Sequence, residues 1–483
     1  MRTSTIFKIL GVFLMIFSLS MLPPAGIATY YQDGAWLAFM VGFGITLVTG
    51  FIFWLPTCRV KAELKVRDGF IIVVLFWTVL SLFGALPMMI SHFPNISFTD
   101  AVFESFSGLT TTGASVLSGI EYLPHAILFY RQELQFLGGM GIVVLAVAIL
   151  PMLGIGGMQL YRAEMPGPAK DTKLTPRITQ SAKALWYIYV GLTVICALAY
   201  WAAGMDLFDA VGESFSTIST GGFTIHDNSF AFYKNPIIDM IAVFFMILGS
   251  TNFSLHFLAF QKRTLRNYWN DREFRLYISL LISVSLICCV VLILYGIYNS
   301  PGMAINRGIF NAVSLATNTG FASAPFQSWP SFLPLLLMFA TMIGGCASST
   351  SGGIKVIRLQ LMYKHGMREL KRLIHPNAVL NIKFGKHMLP DHLINAIWGF
   401  LAVFIVLFIL LMLVLMAAGL NFETSFGALV ACLANAGVGI GDVANNFEGL
   451  NNVCKWVLVF AMLAGRLEIF TVLVLLTPAF WRR

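Results

Sequence analysis

The chain has 483 residues, of which 58% are hydrophobic and only 11% are charged. Soluble globular domains carry about 25% charged residues, so this composition excludes a water-soluble protein and predicts a polytopic membrane protein. The net charge of +9 does not indicate a nucleic-acid partner. Of the 31 Lys and Arg residues, 26 fall in short segments that would be cytoplasmic if both termini are inside, which is the usual orientation signal of a membrane protein.

Apolar stretches long enough to cross a bilayer occur ten times along the chain. A helical crossing takes about 20 residues, and the basic segments separate the stretches as alternating inner connections would. The sequence therefore predicts an all-α fold with ten transmembrane helices. The stretches lie at roughly 7–30, 36–56, 69–92, 127–157, 184–205, 236–260, 276–299, 332–363, 393–419 and 453–480.

A repeated segment organises the chain after its first two spans. Residues 100–107 and 209–216 are identical at seven of eight positions, and weaker copies follow at 310–321 and 428–438. We expect each copy to be a short re-entrant helix between two long helices, and four such units around one axis to form a pseudo-tetrameric pore. The copies end at Gly113, Gly222, Gly320 and Gly437.

These copies predict how the chain is divided. Residues 1–68 would form two extra N-terminal transmembrane helices. The four pore repeats would then occupy residues 69–183, 184–275, 276–392 and 393–483.

The turns that end the re-entrant helices carry residues suited to a cation. Glycine adopts backbone angles that other residues avoid, so successive carbonyl oxygens of a turn can point at one axis and replace the water around an ion. Unpaired backbone groups cannot face lipid, so four such turns predict a wet path enclosed by protein. The candidate filter residues are Thr111, Thr112, Gly113, Thr220, Gly221, Gly222, Asn318, Thr319, Gly320, Asn435, Ala436 and Gly437.

A polar segment interrupts the apolar stretch 332–363. Each of its four glycines weakens a helix by about 1 kcal/mol relative to alanine, and its hydroxyl groups can bond to the freed backbone. The pattern predicts a loop on the inner side of the filter that obstructs the ion path. The alternative is a helix-packing seam made of small residues. The candidate gate residues here are Gly344, Gly345, Ser348, Ser349, Thr350, Ser351, Gly352 and Gly353.

Arg466 lies inside the last apolar stretch, in the cluster equivalent to the Gly344 break. Charged residues within membrane spans face the bundle interior or a water-filled cavity. We expect Arg466 to be a second gate element, because its positive charge would oppose a cation. The alternative is a structural arginine satisfied by backbone carbonyls or by Glu468.

Few cations occur in the segments predicted to be outside. Arg131 and Lys455 are two of them, whereas carboxylates such as Asp100 and Glu104 are common there, so the outer mouth should concentrate cations. On helices packed behind a filter, Glu104 and Glu213 are expected to be hydrogen-bonded structural groups and not ion ligands.

Other functional classes have less support in the sequence. The eight histidines form no H-E-x-x-H motif, as a zinc enzyme would need, and no G-x-G-x-x-G follows a predicted strand, so we expect neither enzymatic activity nor a nucleotide site on this chain. An alternating-access transporter would usually show two inverted halves and not four copies in one orientation.

Together these motifs resemble the Trk/Ktr/HKT superfamily, most closely its bacterial Trk potassium uptake membrane subunits. The resemblance covers essentially the whole chain and rests on the four T-x-G or N-x-G turns, the G-G-C-A-S-S-T-S-G-G-I-K segment and Arg466 in the last span. It implies potassium as the transported ion, a filter around the four glycines and an intramembrane gating loop at 344–353. It also implies a homodimer in the lipids of the bacterial inner membrane, bound to a cytosolic TrkA-like nucleotide-binding ring protein.

Two features place the chain within this superfamily. Ktr-type relatives generally lack the first two spans, so residues 1–68 favour the Trk branch, and sodium-selective plant relatives carry Ser where this chain has Gly113. The fourth repeat departs most, with Ala436 and no Thr. The sequence leaves open a Kdp-type pump subunit, a sodium-permeable Ktr/HKT-like transporter, and whether flow is channel-like or proton-coupled symport.

Overall fold

A computed structural model describes most of the chain. In the part of the chain that it describes, the regular secondary structure is helical apart from one small antiparallel hairpin, which pairs Lys383–Phe384 with His387–Met388. This agrees with the predicted all-α class. The described residues are 3–60, 66–144, 174–330, 332–378, 380, 382–384, 387–388 and 390–482.

The N-terminal segment forms helices Thr3–Ser18, Leu22–Tyr31 and Trp36–Trp54. The first and third of these cross with their backbones in contact at Gly11 and Gly50. A Cβ atom on Gly11 would lie 2.6 Å from the Gly50 carbonyl oxygen, and one on Gly50 would lie 2.9 Å from the Gly11 carbonyl oxygen. Small residues allow such close approach between membrane helices, where packing contributes more than the hydrophobic effect.

Each sequence repeat contains a long helix, a short helix and a second helix. The first helices are Val66–Gly84 (extended by Leu86–Ile90), Leu174–Ala202, Arg272–Leu294 and Asp391–Ala417. The short helices are Phe98–Leu109, Leu207–Ser219, Pro301–Ala316 and Phe422–Leu433. The second helices are His125–Val144, Pro236–Gly249, Phe332–Ile343 and Asn452–Arg466. The other α-helices of the described residues that follow the N-terminal segment are Phe253–Lys262, Arg266–Asn270, Val356–Ile374, Phe470–Leu476 and Pro478–Trp481.

The short helices all begin with a side-chain cap. The first N–H groups of a helix have no partner within the helix, and a Ser, Asp or Asn oxygen satisfies one of them. Each cap therefore fixes where its short helix starts, before the largely buried residues that follow. The capping residues are Ser97, Asp206, Ser300 and Asn421.

Six helices among the described residues are long and apolar enough to cross a membrane. The number rises to eight if two bent pairs each count as one span: Pro236–Gly249 with Phe253–Lys262, bent by 94°, and Asn452–Arg466 with Phe470–Leu476, bent by 115°. The chain is thus a multi-pass membrane protein, and the predicted number of ten crossings stays a prediction.

Several of the predicted apolar stretches, including the two bent pairs, do not appear as single described helices. The stretch 332–363 is divided, because helix Phe332–Ile343 ends before Gly344 and the next helix begins at Val356. The polar segment between them breaks the helix, as the sequence predicted. The end of the stretch 127–157 lies outside the described residues.

The glycine crossing between the first and third helices can be tested with Gly50→Ile. The added side chain should push the two helices apart and lower stability by about 1–3 kcal/mol, the usual cost of overpacking. Gly44→Ile on the same helix is the matched control, because a Cβ there meets nothing within 4 Å. Thermal unfolding of the purified protein in detergent should show a lower midpoint for Gly50→Ile alone, and equal midpoints for the two variants would contradict the crossing.

Candidate ion filter and intramembrane loop

The four predicted filter turns share one backbone conformation. Two positions before each glycine, a residue with a side chain adopts a positive φ, which is uncommon outside glycine. These residues are Thr111 (φ 51°), Thr220 (51°), Asn318 (61°) and Asn435 (53°). The glycines that follow are Gly113 (φ 84°), Gly222 (89°), Gly320 (80°) and Gly437 (73°). The shared pair of angles shows that Gly222, and not Gly221, is the equivalent of Gly113.

The four glycines make a closed series of contacts. A Cβ atom added to any one of them would collide with a carbonyl oxygen in the turn of the next repeat, and the fourth repeat returns to the first. Only glycine fits at such an approach. The contacts join Gly113 to the Gly221 oxygen, Gly222 to the Thr319 oxygen, Gly320 to the Ala436 oxygen and Gly437 to the Thr112 oxygen.

The turns lie between two cavities. A cavity of about 450 Å³ is lined by all four glycines and by the segments that follow them in the chain. A second cavity of about 50 Å³ is lined by Asn435, by Arg466 and by residues of the polar segment after Gly344. Because Asn435 and Gly437 belong to one turn and line different cavities, the fourth turn lies between the two spaces. Both cavities have room for at least one water-sized particle.

Asparagine side chains tie two of the turns to their surroundings. Asn318 Nδ2 donates to the Thr341 carbonyl oxygen at 3.0 Å and to that of Ala434 at 2.7 Å. Asn435 Nδ2 donates to the Met462 carbonyl oxygen at 3.0 Å and to Thr112 Oγ1 at 2.9 Å. Each asparagine therefore joins the second helix of its own repeat to the next repeat.

Carboxylate or amide groups on the short helices hold the chain beyond the filter glycines. Glu104 Oε2 accepts from the Val116 N–H at 3.0 Å, and Glu213 Oε1 accepts from the Ile225 N–H at 3.0 Å. Asn311 occupies the same place in the third repeat and accepts from the Ser323 N–H at 3.3 Å. Glu104 and Glu213 are thus hydrogen-bonded to backbone, as the sequence predicted.

Two of the cations that the sequence places in outer segments, Arg131 and Lys455, are paired with carboxylates. Arg131 is buried, and its Nε lies 2.7 Å from Glu104 Oε1. Lys455 is also buried, and its Nζ lies 2.6 Å from Asp100 Oδ1. Both pairs join groups that are distant in sequence, which the chain alone does not reveal. The carboxylates of Asp100 and Glu104 are neutralised by these partners, so they contribute less to cation attraction than expected.

The polar segment after Gly344 folds into a buried loop against the second repeat. Thr350 Oγ1 donates to the Ile218 carbonyl oxygen at 3.0 Å and approaches that of Gly249 at 2.9 Å. The Phe253 N–H donates to the Ser348 carbonyl oxygen at 3.1 Å. The loop therefore fills the space at the bend of the second repeat, so the alternative of a continuous helix-packing seam is wrong.

Arg466 contacts this loop directly. Its Nη1 donates to the Thr350 carbonyl oxygen at 2.9 Å, and the residue is 7% exposed. Within the described part of the chain, its Nε and Nη2 have no hydrogen-bond partner. Glu468, considered above as its partner, instead pairs with Arg358. Arg466 thus places a buried charge beside the loop, and both line the small cavity.

Sequence reasoning missed the polar face of helix His125–Val144. Gln132 Nε2 donates to the Phe223 carbonyl oxygen at 3.1 Å, and Gln135 Nε2 donates to the Gly221 carbonyl oxygen at 2.8 Å. The available signal was the run of polar residues at 131–135 inside an apolar stretch. Polar side chains in a span usually have a defined partner.

The fold and the four turns define a multi-pass cation-transport protein. The chain belongs to the TrkH family of cation transport proteins, whose model matches residues 36–483.

Relatives of this family match the chain over its whole length. It is 53% identical over 482 residues to the Trk system potassium uptake protein TrkH of Escherichia coli K12, with all of both chains covered. It is 38% identical to the Trk system potassium uptake protein TrkG of the same organism, over 98% of this chain and 97% of the relative. The crystal structure of the potassium transporter TrkH from Vibrio parahaemolyticus superposes with a TM-score of 0.94 at 50% identity, covering 100% of both chains.

The buried pair between Arg131 and Glu104 can be tested with one single variant and one double variant. Arg131→Met should leave an unpaired buried carboxylate and lower the free energy of unfolding by about 3–5 kcal/mol. Arg131→Met combined with Glu104→Gln should recover much of that loss, because no uncompensated charge remains. Thermal or denaturant unfolding in detergent measures both variants. A double variant as unstable as the single one would argue against the pair as the cause.

Proposed function

We propose that this chain takes up potassium ions across the bacterial inner membrane through a selective, gated pore. The observation that carries the proposal is the closed series of glycine contacts, which brings the four turns around one axis. Relatives named as Trk system potassium uptake proteins, 53% and 38% identical over nearly all of this chain, support potassium as the ion.

In this proposal the four repeats form a pseudo-tetramer of ten transmembrane helices and four re-entrant pore helices. The candidate filter residues supply backbone carbonyl oxygens that replace the hydration shell of potassium. The short helices end at the turns, so the negative ends of their dipoles point towards the ion path. The ion is the transported substrate, and no chemical step is required of the protein.

The loop at 344–353 and Arg466 form the gate in this proposal. The loop obstructs the inner side of the filter, and the guanidinium group of Arg466 raises the electrostatic barrier to a cation. The hydrogen bond from Arg466 to the Thr350 carbonyl oxygen supports a joint action of the two elements, because it links the positive charge to the loop. Opening therefore requires the loop to leave its contacts with the second repeat.

The proposed assembly is a homodimer in the lipid bilayer, with both termini in the cytoplasm and a TrkA-like nucleotide-binding ring protein on the cytosolic face. The name Trk system in the relatives supports a multi-component transporter. Helix Val356–Ile374 is a suitable contact for the ring, because it follows the loop directly and carries exposed Leu373 and Ile374 beside basic residues.

Gly113→Ser tests the filter. The added side chain would collide with the Gly221 carbonyl oxygen, so the spacing available to a dehydrated ion should change and discrimination against sodium should fall about tenfold, equivalent to about 1.4 kcal/mol. Uptake of rubidium and of sodium by a potassium-uptake-deficient bacterium expressing the full chain gives the ratio.

Gly119→Ser is the matched control for this measurement. Gly119 belongs to the same repeat and also has a positive φ, but its nearest neighbour would lie 3.5 Å from an added Cβ atom. The control should keep the parental ratio. If Gly113→Ser also keeps it at normal membrane levels, the filter is not at these glycines.

Arg466→Ala tests the gate. At an effective dielectric constant near 20, two unit charges about 6 Å apart interact by about 3 kcal/mol, so removing the charge should raise basal rubidium flux by up to about a hundredfold. Thr350→Val should also raise the flux, because it removes the hydroxyl that holds the loop to the second repeat. Flux into proteoliposomes without a ring protein measures both variants.

Arg466→Lys serves as the control because it keeps the positive charge. Its flux should stay closer to the parent than that of Arg466→Ala. Well-folded Arg466→Ala and Thr350→Val proteins with flux no higher than the parent would mean that neither element is a gate.

A further inference from the structure

One side chain outside the predicted filter binds a filter carbonyl oxygen across the boundary between two repeats. Gln135 lies on the second helix of the first repeat and is completely buried. Its Nε2 donates to the Gly221 carbonyl oxygen at 2.8 Å, and its Oε1 accepts from the Phe223 N–H at 3.1 Å and from Ser216 Oγ at 2.6 Å. The Gly221 oxygen is also the atom that faces Gly113 in the series of glycine contacts.

These partners fix the orientation of the Gln135 amide group. The Phe223 N–H can only donate, so the side-chain atom that faces it has to be the amide oxygen. The Gly221 carbonyl oxygen can only accept, so it has to face the amide nitrogen. Gln135 therefore acts as a bridge that sets the direction of one filter carbonyl group.

The corresponding positions of the other three repeats lack this bridge. Met246, Thr341 and Met462 stand, like Gln135, three residues before a glycine of the small-residue cluster. The equivalence of Thr341 and Met462 is supported by their carbonyl oxygens, which accept from Asn318 and Asn435 at matching places. Methionine has no hydrogen-bond donor, and the Thr341 hydroxyl donates within its own repeat.

Gln135 also accounts for a departure in the filter sequence of the second repeat. The residue before the filter glycine is Thr112, Thr319 or Ala436 in the other repeats but Gly221 here. A Cβ atom on Gly221 would collide with the Gln135 side chain. Gln135 thus takes the space that a side chain occupies in the other turns, and the two residues are matched.

We propose that Gln135 is a selectivity-determining positioning residue, which holds the Gly221 carbonyl group in the direction and at the spacing that potassium requires. The proposal rests on the proposed filter. The hydrogen bond occupies one lone pair of the Gly221 oxygen, so the second repeat coordinates the ion through a carbonyl group of fixed orientation. The other three repeats keep their carbonyl groups in place by backbone packing and by the side chains of the turns.

The test is Gln135→Met, which gives the first repeat the residue that the second and fourth repeats carry. The ratio of rubidium to sodium uptake should fall about five- to tenfold, the effect of losing one hydrogen bond. Gln132→Met is the matched control: on the same helix, it removes hydrogen bonds to Ser216 and to the Phe223 oxygen beyond the filter glycine, and it leaves the bond between Gln135 and the Gly221 oxygen in place. It should change the ratio less than twofold.

A second pair of variants keeps the test decisive if Gln135→Met folds poorly. Gly221→Thr alone should abolish uptake, because its side chain meets Gln135. Combined with Gln135→Met it should restore uptake with low selectivity, since the pair then matches the Met and Thr residues of other repeats. Failure of this rescue at normal membrane levels, or an unchanged ratio in Gln135→Met, overturns the proposal.

Gly113→Ser, measured in the same cells, separates this inference from the filter proposal. If Gly113→Ser lowers the ratio and Gln135→Met does not, the filter stands and the role of Gln135 is wrong. If neither variant changes the ratio, the filter itself is misplaced and the inference fails with it.

Discussion

Each filter glycine lies where any side chain would strike a carbonyl oxygen of the next repeat, and this constraint organises the molecule. The series of four contacts returns from the fourth repeat to the first, which requires the four short helices to end at the same level and in the same orientation. The side-chain caps at the starts of these helices and the paired positive φ angles at their ends meet that requirement. The residues of these turns that carry side chains are buried, as backbone groups without a helical partner have to be in a membrane protein.

The loop after Gly344 is coupled to the filter by the same packing. Thr350 Oγ1 bonds to the Ile218 carbonyl oxygen at the end of the second short helix and lies 3.2 Å from Thr220 Oγ1 in the turn itself. Ser351 Oγ lies 3.3 Å from Asn318 Oδ1 in the third turn. A loop that leaves its site therefore breaks bonds to two of the turns, so the proposed gate and the proposed filter share one network of hydrogen bonds.

The elements that sequence reasoning identified depend on local patterns. The glycine register, the short helices and the break at Gly344 follow from repeats and from small or polar residues in apolar stretches, and they need no knowledge of distant partners. The pairing of Arg131 with Glu104 and the bridge from Gln135 to Gly221 join different parts of the chain. Their geometry depends on how the repeats pack, so the sequence shows only that polar residues are present.

The repeats preserve the backbone of the turns while changing the side chains that hold it. In the fourth repeat, Ala428 stands where Glu104 and Glu213 accept from backbone, and Thr424 and Asp442 instead bond to each other at 3.1 Å across the same segment. In a symmetric tetramer of identical chains, the supporting side chains could not differ in this way from one subunit to the next. Because all four repeats belong to one chain, the second turn can bond to Gln135 and to Thr350 of the loop while different side chains hold the other turns. Asymmetry in the side chains is therefore compatible with one backbone conformation shared by the four turns.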